Sequence, residues 1–147
     1  EAFYRESWYG VYRVLAVLLR DADLAAEATD EAMTRALERW PSVSEHDNPA
    51  GWVYVVGRNW ALTRLRKRKR ESDVVAEIAV APIERDVTLD RAVAALPMRL
   101  REVIVLHYLV DLTHPEIARV LRVPEGTVKS RLSRGLDRLR KDVGDVA

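Results

Sequence analysis

The stretch RVPEGTVKSRLSRGLDRLRK, residues 122–141, crowds Lys129, Arg131, Arg134, Arg138, Arg140 and Lys141 into a few helical turns. Such side chains hold phosphates, and arginine can also grip the two acceptors on a guanine edge. A second basic run, RLRKRKR at 64–70, repeats the signal. The chain as a whole nevertheless carries a formal net charge of only +1, from 24 basic and 23 acidic residues. Its positive charge is therefore gathered in two places. The carboxylates, Glu27, Asp30 and Glu31 among them, are gathered elsewhere and suit a different partner.

Other chemistries have little to work with. There are no cysteines, which excludes disulfides and thiolate zinc sites. His46, His107 and His114 offer a metal centre few possible ligands, and His107 and His114, on or beside helix faces, read as structural or exposed. Strand exchange or cleavage needs a tyrosine or serine nucleophile beside clustered arginines. Tyr4, Tyr9, Tyr12, Tyr54 and Tyr108 lack that setting, so neither catalytic residues nor a cofactor are expected. Apolar runs such as VYRVLAVLL are interrupted by charge and too short to span a bilayer. The sequence opens at Glu1 with no signal-peptide pattern, which implies a trimmed N-terminus and a cytoplasmic location.

The elements that must carry the basic runs are helical. From Phe3 to Leu19 apolar residues recur at helical spacing. Asp21 or Asp23 can cap a second helix bearing Leu24, Ala28, Ala32, Met33 and Leu37, which Trp40 and Pro41 should end. SVSEHD reads as a polar loop. Asn48 followed by Pro49 starts a third helix through AGWVYVVGRNWALTRLRKRKR. Gly57 inside it costs about 1 kcal/mol against alanine and so marks a close helix crossing or a kink. The pattern then decays over 71–88, which reads as a linker. Further helices are expected near 89–95, 97–109, 115–121 and 125–143. The fold class is all-α, with two small helical domains, 1–70 and 89–147, on either side of the linker.

The second domain has the proportions of a helix-turn-helix. Thr113 and Glu116 form a capping-box pair, and Pro115 suits the first turn. Ile117, Ala118 and Leu121 should supply the buried face of the first short helix. Arg122 stands where a left-handed residue, usually glycine, closes such a helix, at a strain of roughly 1 kcal/mol. On the following helix Val128, Leu132, Leu136 and Leu139 make one apolar stripe. Ser130 and Arg134 point away from Leu132, with Thr127, Arg131 and Ser133 on the flanks. That face has the composition of a major-groove reader.

These residues resemble the extracytoplasmic-function sigma factors of bacterial RNA polymerase, over nearly the whole chain from Tyr4 to Lys141. LPMRLREVIVLHYLVDLTHPEIARVLRVPEGTVKSRL is similar to that family's promoter-reading C-terminal domain, most specifically in VPEGTVKSRL. ATDEAMTRAL and NPAGWVYVVGRNWALTRLRKRKR are similar to its N-terminal domain.

The resemblance implies core RNA polymerase and promoter DNA as partners, with contacts to the coiled coil and flap of the polymerase. It also implies an anti-sigma factor as inhibitor and no membrane insertion of the chain itself. Glu27, Asp30, Glu31 and Arg35 would dock on the coiled coil. Ala28 and Thr29 stand where the family commonly has bulky aliphatics, a departure that bears on how firmly this helix docks. The third helix and the loop 42–49 before it would capture unpaired bases of the minus-ten element. Asn59 is the candidate base-edge contact, and Arg58, Arg64, Arg66 and Lys67 hold the backbone. Trp52 lies on the same helix as a further candidate, although Trp52 and Trp60 read first as core filler. Lys129, Ser130, Ser133 and Arg134 fall where the family reads the minus-thirty-five element, with Thr127 beside them and Arg131 on phosphate. Ser133 replaces the bulkier residues often found there. The alternative is a stand-alone helix-turn-helix regulator that binds duplex operators without polymerase.

Overall fold

α1 (Ala2–Leu19) buries Val11 and then every residue from Leu15 to Leu19, so its C-terminal end is enclosed all round. Arg20 then turns the chain through a left-handed backbone, φ 56°. Asp21 caps α2 (Ala22–Glu38), its carboxylate accepting the Leu24 N–H at 3.0 Å. The structure, a computed structural model, describes residues 2–71 and 88–144. Every regular element among them is helical.

α2 stops at Glu38, two residues earlier than expected, because Arg39 leaves helical geometry at φ −114°, ψ 23°. Trp40–Val43 then forms a one-turn helix, α3, that contains Pro41. Proline is tolerated there because a first-turn N–H has no intrahelical partner to lose. The expected polar loop is thus pinned by Val43, which is buried, while Ser44 to Asp47 stay exposed. Asn48 caps α4 (Pro49–Glu71) as predicted, its Oδ1 accepting the Gly51 N–H at 2.9 Å.

α1, α2 and α4 pack on one another. Leu15, Leu18, Leu24, Met33, Val53 and Tyr54 fill the space between them. The α2–α4 approach is close because its residues are small. Ala25, Ala28, Thr29 and Ala32 are fully buried, and Gly57 is buried opposite them. A Cβ on Gly57 would stand 3.2 Å from the Ala28 carbonyl oxygen and 3.5 Å from Ala32 Cβ. Thr29 satisfies its buried hydroxyl by donating to Ala25 O at 2.7 Å. The missing aliphatics at 28 and 29 are therefore a packing feature of the bundle.

The chain divides into two compact units, Glu1–Ala81 and Pro82–Ala147. The expected linker, 71–88, lies outside the described residues except at its ends, where α4 finishes at Glu71 and α5 (Thr88–Ala95) begins. In the second unit α6 (Met98–Ile104) runs into a wider π turn, Val105–Leu109, where a continuous α-helix was expected. The turn is held by Val110 N–H to Val105 O at 3.1 Å and Leu112 N–H to Leu106 O at 3.0 Å. Asp111 reverses the chain at φ 63°. His107 lies within this π turn, a rare geometry in helices.

α7 (His114–Leu121) opens on the predicted capping box. Thr113 Oγ1 accepts the Glu116 N–H at 3.3 Å, and Glu116 Oε1 accepts the Thr113 N–H at 3.0 Å. Arg122 closes the helix in the left-handed region, φ 57°, ψ 49°, as the sequence position predicts. Of the expected buried face only Ile117 is sealed; Ala118 and Leu121 are half-buried, because α7 is covered on one side alone. α8 (Glu125–Gly144) buries Val128, Leu132 and Leu139 against the rest of the unit, with Leu136 half-buried at the edge. Gly135 lets α8 reach α6, where its Cβ would meet Ile104 Cγ1 at 3.0 Å.

Candidate nucleic-acid interface

Burial on α8 sorts its residues cleanly. Val128 and Leu132 face inward, while Lys129, Ser130, Ser133 and Arg134 are exposed and Thr127 and Arg131 are half-exposed on the flanks. The helix begins at the α7–α8 turn, where Pro124 O accepts the Thr127 N–H at 3.0 Å. Ser130 Oγ donates back to Thr127 O at 3.1 Å. That bond is local and exposed, so the hydroxyl can turn to an outside acceptor at small cost. This unit therefore offers two cations and two hydroxyls on one open helix face.

His107 and His114, read from sequence as structural or exposed, are brought together beside that face. Their ring centroids are 4.9 Å apart, and His107 Nδ1 lies 3.0 Å from Leu112 O. Because a carbonyl can only accept, Nδ1 carries the proton. Both rings line a surface cleft that Lys129, Ser133 and Arg140 also line. The residues are 7 apart in number, but the π turn and the Asp111 reversal that join them have no simple sequence signature.

In the first unit, α4 exposes Asn59, Arg64, Arg66 and Lys67, with Arg58 half-exposed. Arg58 Nη1 donates to Asn59 Oδ1 at 2.6 Å. That leaves the Asn59 Nδ2 amide as the group available to a base acceptor. Trp52 and Trp60 are both half-buried, each partly packed in the bundle and partly open to solvent. Trp60 carries the Arg64 guanidinium 5.1 Å above its ring. Arg64 Nη2 also lies 3.9 Å from Glu27 Oε2, across the boundary between α4 and α2. The acidic and basic sets of this unit therefore meet at Arg64.

On α2, Glu27, Asp30 and Arg35 are exposed and Glu31 is half-exposed, opposite the buried row of Ala28, Ala32, Met33 and Ala36. Glu31 pairs with Arg35 at 3.1 Å. Asp30 Oδ1 accepts the indole N–H of Trp8 at 2.7 Å, and Trp8 stacks on Tyr12. Sequence reasoning missed Trp8, which meets Asp30 only through the α1–α2 packing.

Two helical units, the second carrying an open basic helix after a capped helix and a tight turn, have the architecture of the helix-turn-helix class. Residues 4–71 match the family model of sigma-70 region 2, and residues 86–139 match that of sigma-70 region 4. The chain is 30% identical to the ECF RNA polymerase sigma factor SigW of Bacillus subtilis, over 92% of this chain and 84% of that one. It is 32% identical to the ECF sigma factor SigK of Mycobacterium tuberculosis, over 94% and 82%. The fold also matches a solved sigma factor RpoE, crystallised with the anti-sigma factor NepR from Bartonella quintana. The TM-score is 0.77 at 23% identity, covering 96% of this chain and 94% of that one. The chain belongs to the extracytoplasmic-function sigma factors of RNA polymerase. It acts with core polymerase, directing it to promoters and assisting initiation.

Proposed function

We propose that this sigma factor divides its work between two faces. Thr127, Lys129, Ser130, Arg131, Ser133 and Arg134 of α8 read the minus-thirty-five element in the major groove. Asn59, with Arg58, Arg64, Arg66, Lys67 and Trp52 along α4, engages the minus-ten element as it melts. Extruding a base from the stack costs a few kcal/mol, which a fitted pocket and hydrogen bonds offset. Glu27, Asp30, Glu31 and Arg35 dock on the polymerase coiled coil. Residues 1–70 and 89–147 are the two functional domains. Neither contact needs to be tight alone, since tethering raises the effective concentration of the second once the first is made.

The observation that carries this reading is the sorting of α8, with four polar or cationic residues exposed directly behind a buried Val128–Leu132 stripe. The chain is read as a non-catalytic, cytoplasmic subunit. Among the described residues, no helix is long and apolar enough to cross a membrane. An anti-sigma factor is the expected inhibitor, by analogy with the partner in the RpoE complex. Run-off transcription with core polymerase on a promoter library tests the proposal. Selection of a shared two-part promoter supports it. Duplex binding that is unaffected by core polymerase, with no transcript, would favour the stand-alone regulator.

A further inference from the structure

His107 and His114 stand side by side, with ring centroids 4.9 Å apart and planes inclined by 48°, too tilted for face-to-face stacking. His107 Nδ1 donates to Leu112 O at 3.0 Å, which leaves the lone pair on Nε2. Histidines that ligate metals are fixed in this way, their other ring N–H donating to a carbonyl or a carboxylate. The spacing fits as well. Metal–nitrogen bonds of about 2.0–2.1 Å at a tetrahedral angle hold two imidazole centroids roughly 5 Å apart. Both rings are half-buried and line a cleft of about 390 Å³. That is room for an ion and its waters, since one water takes up about 30 Å³.

We infer that His107 and His114 form a site for a transition-metal ion of the zinc class. The charge around the cleft narrows the choice. Lys129 and Arg140 line it, and Asp137, the carboxylate among its lining residues, pairs with Arg140 at 3.5 Å. A hard cation such as Mg²⁺ needs several oxygens and is disfavoured there, whereas Zn²⁺, Ni²⁺ and Cu²⁺ bind neutral imidazole. Among the described residues no three histidine, cysteine, aspartate or glutamate side chains assemble into a ligand set, so water completes the shell. A dissociation constant on the order of 10 μM is expected, far weaker than a closed four-ligand site. The ion bridges the π turn to the first residue of α7. It also adds positive charge beside Lys129 and Ser133 on α8.

The test uses the full chain, free of tags and chelator-stripped, with Zn²⁺ alone as the probe. Calorimetry should show one ion bound per chain, and excess Mg²⁺ should not displace it. In nitrogen NMR of the imidazoles, Zn²⁺ should shift Nε2 of His107 and a ring nitrogen of His114, and leave the exposed His46 unmoved. His114→Ala keeps the His107–Leu112 bond and should weaken Zn²⁺ binding at least tenfold, while His46→Ala should not change it. With Zn²⁺ at tenfold its dissociation constant, amide exchange over residues 105–114 should slow about tenfold, the factor by which a ligand of the closed form suppresses opening. Wild-type affinity in His114→Ala, a shift in only one of the two rings, or no binding below millimolar Zn²⁺ would each overturn the site.

Discussion

Gly57 on α4 faces Leu15 on α1 so closely that a Cβ at position 57 would stand 2.9 Å from Leu15 Cδ1. The same Cβ would press on the Ala28 carbonyl oxygen at 3.2 Å, a backbone atom that cannot move without shifting α2. Gly57→Ala gains about 1 kcal/mol of helix propensity, but overpacking of a close crossing costs about 1–3 kcal/mol. The net expectation is a less stable first unit. All four tryptophans, at 8, 40, 52 and 60, belong to that unit, so urea denaturation followed by tryptophan fluorescence reports on it selectively. A midpoint that is unchanged or raised would show that the helices can part at no cost.

The capping box of α7 makes a pH-dependent contribution to the second unit. Backbone and side-chain hydrogen bonds from Thr113, in that order, hold the Glu116 carboxyl below its ordinary range, with Arg119 adding to the effect. A group whose pKa is lowered on folding stabilises the fold above its unfolded pKa. That contribution is lost as pH falls through the folded value. Glu116→Gln keeps an acceptor for the Thr113 N–H but cannot titrate. Its second unit should therefore lose less stability than the wild type between neutral and acid pH. Amide hydrogen exchange over α7 at several pH values measures this, and parallel acid limbs for the two proteins would contradict it.

Helix existence and capping were legible in the sequence because they rest on local chemistry. Asp21, Asn48 and the Thr113–Glu116 box each act within three residues of their partners. Gly57 was legible as a crossing because a glycine in a helix interior needs a reason. Ala28 and Thr29 were read against a partner, although they serve α4 inside the bundle. The pairings of Trp8 with Asp30, Arg64 with Glu27 and His107 with His114 depend on how helices pack or reverse. No local period encodes them. The α2 stop at Glu38 and the π turn at Val105–Leu109 were missed for a related reason: both are set by backbone geometry at a helix end, where propensities are weak.

Arg122 holds a left-handed backbone that glycine adopts without strain. Arg122→Gly should raise the stability of the second unit by about 0.5–1 kcal/mol, the left-handed penalty less the entropy glycine adds to the unfolded chain. Slower exchange of the α7 and α8 amides would register the gain. Faster exchange would mean that the exposed Arg122 side chain stabilises the turn by more than its backbone costs.

Arg134 stands exposed behind the buried Leu132 on α8, with Ser130 one turn away on the same face. Arg134→Ala should weaken upstream promoter recognition by about 1–3 kcal/mol, the value of one good base contact. Competition between templates that differ only in the minus-thirty-five element separates a base contact from a phosphate contact. Loss of discrimination marks the former. Uniform weakening on all templates marks the latter and would move Arg134 out of the reading set.

Asn59 and Arg58 form a side-chain pair at 2.6 Å on the outward side of α4, between the buried Gly57 and Ala61. If the Asn59 amide receives an unpaired base, Asn59→Ala removes a contact that exists only after the strands separate. The variant should then bind closed duplex in the holoenzyme nearly as well as wild type, yet form open complexes roughly tenfold less, the effect of losing one hydrogen bond of about 1–1.5 kcal/mol. A fluorescent base analogue in the minus-ten element follows melting directly, and gel retardation at low temperature follows closed binding. Equal losses in both assays would place Asn59 on the duplex. In that case Arg58, which the same substitution releases from Asn59, would be the side chain to examine for contact with the melted strand.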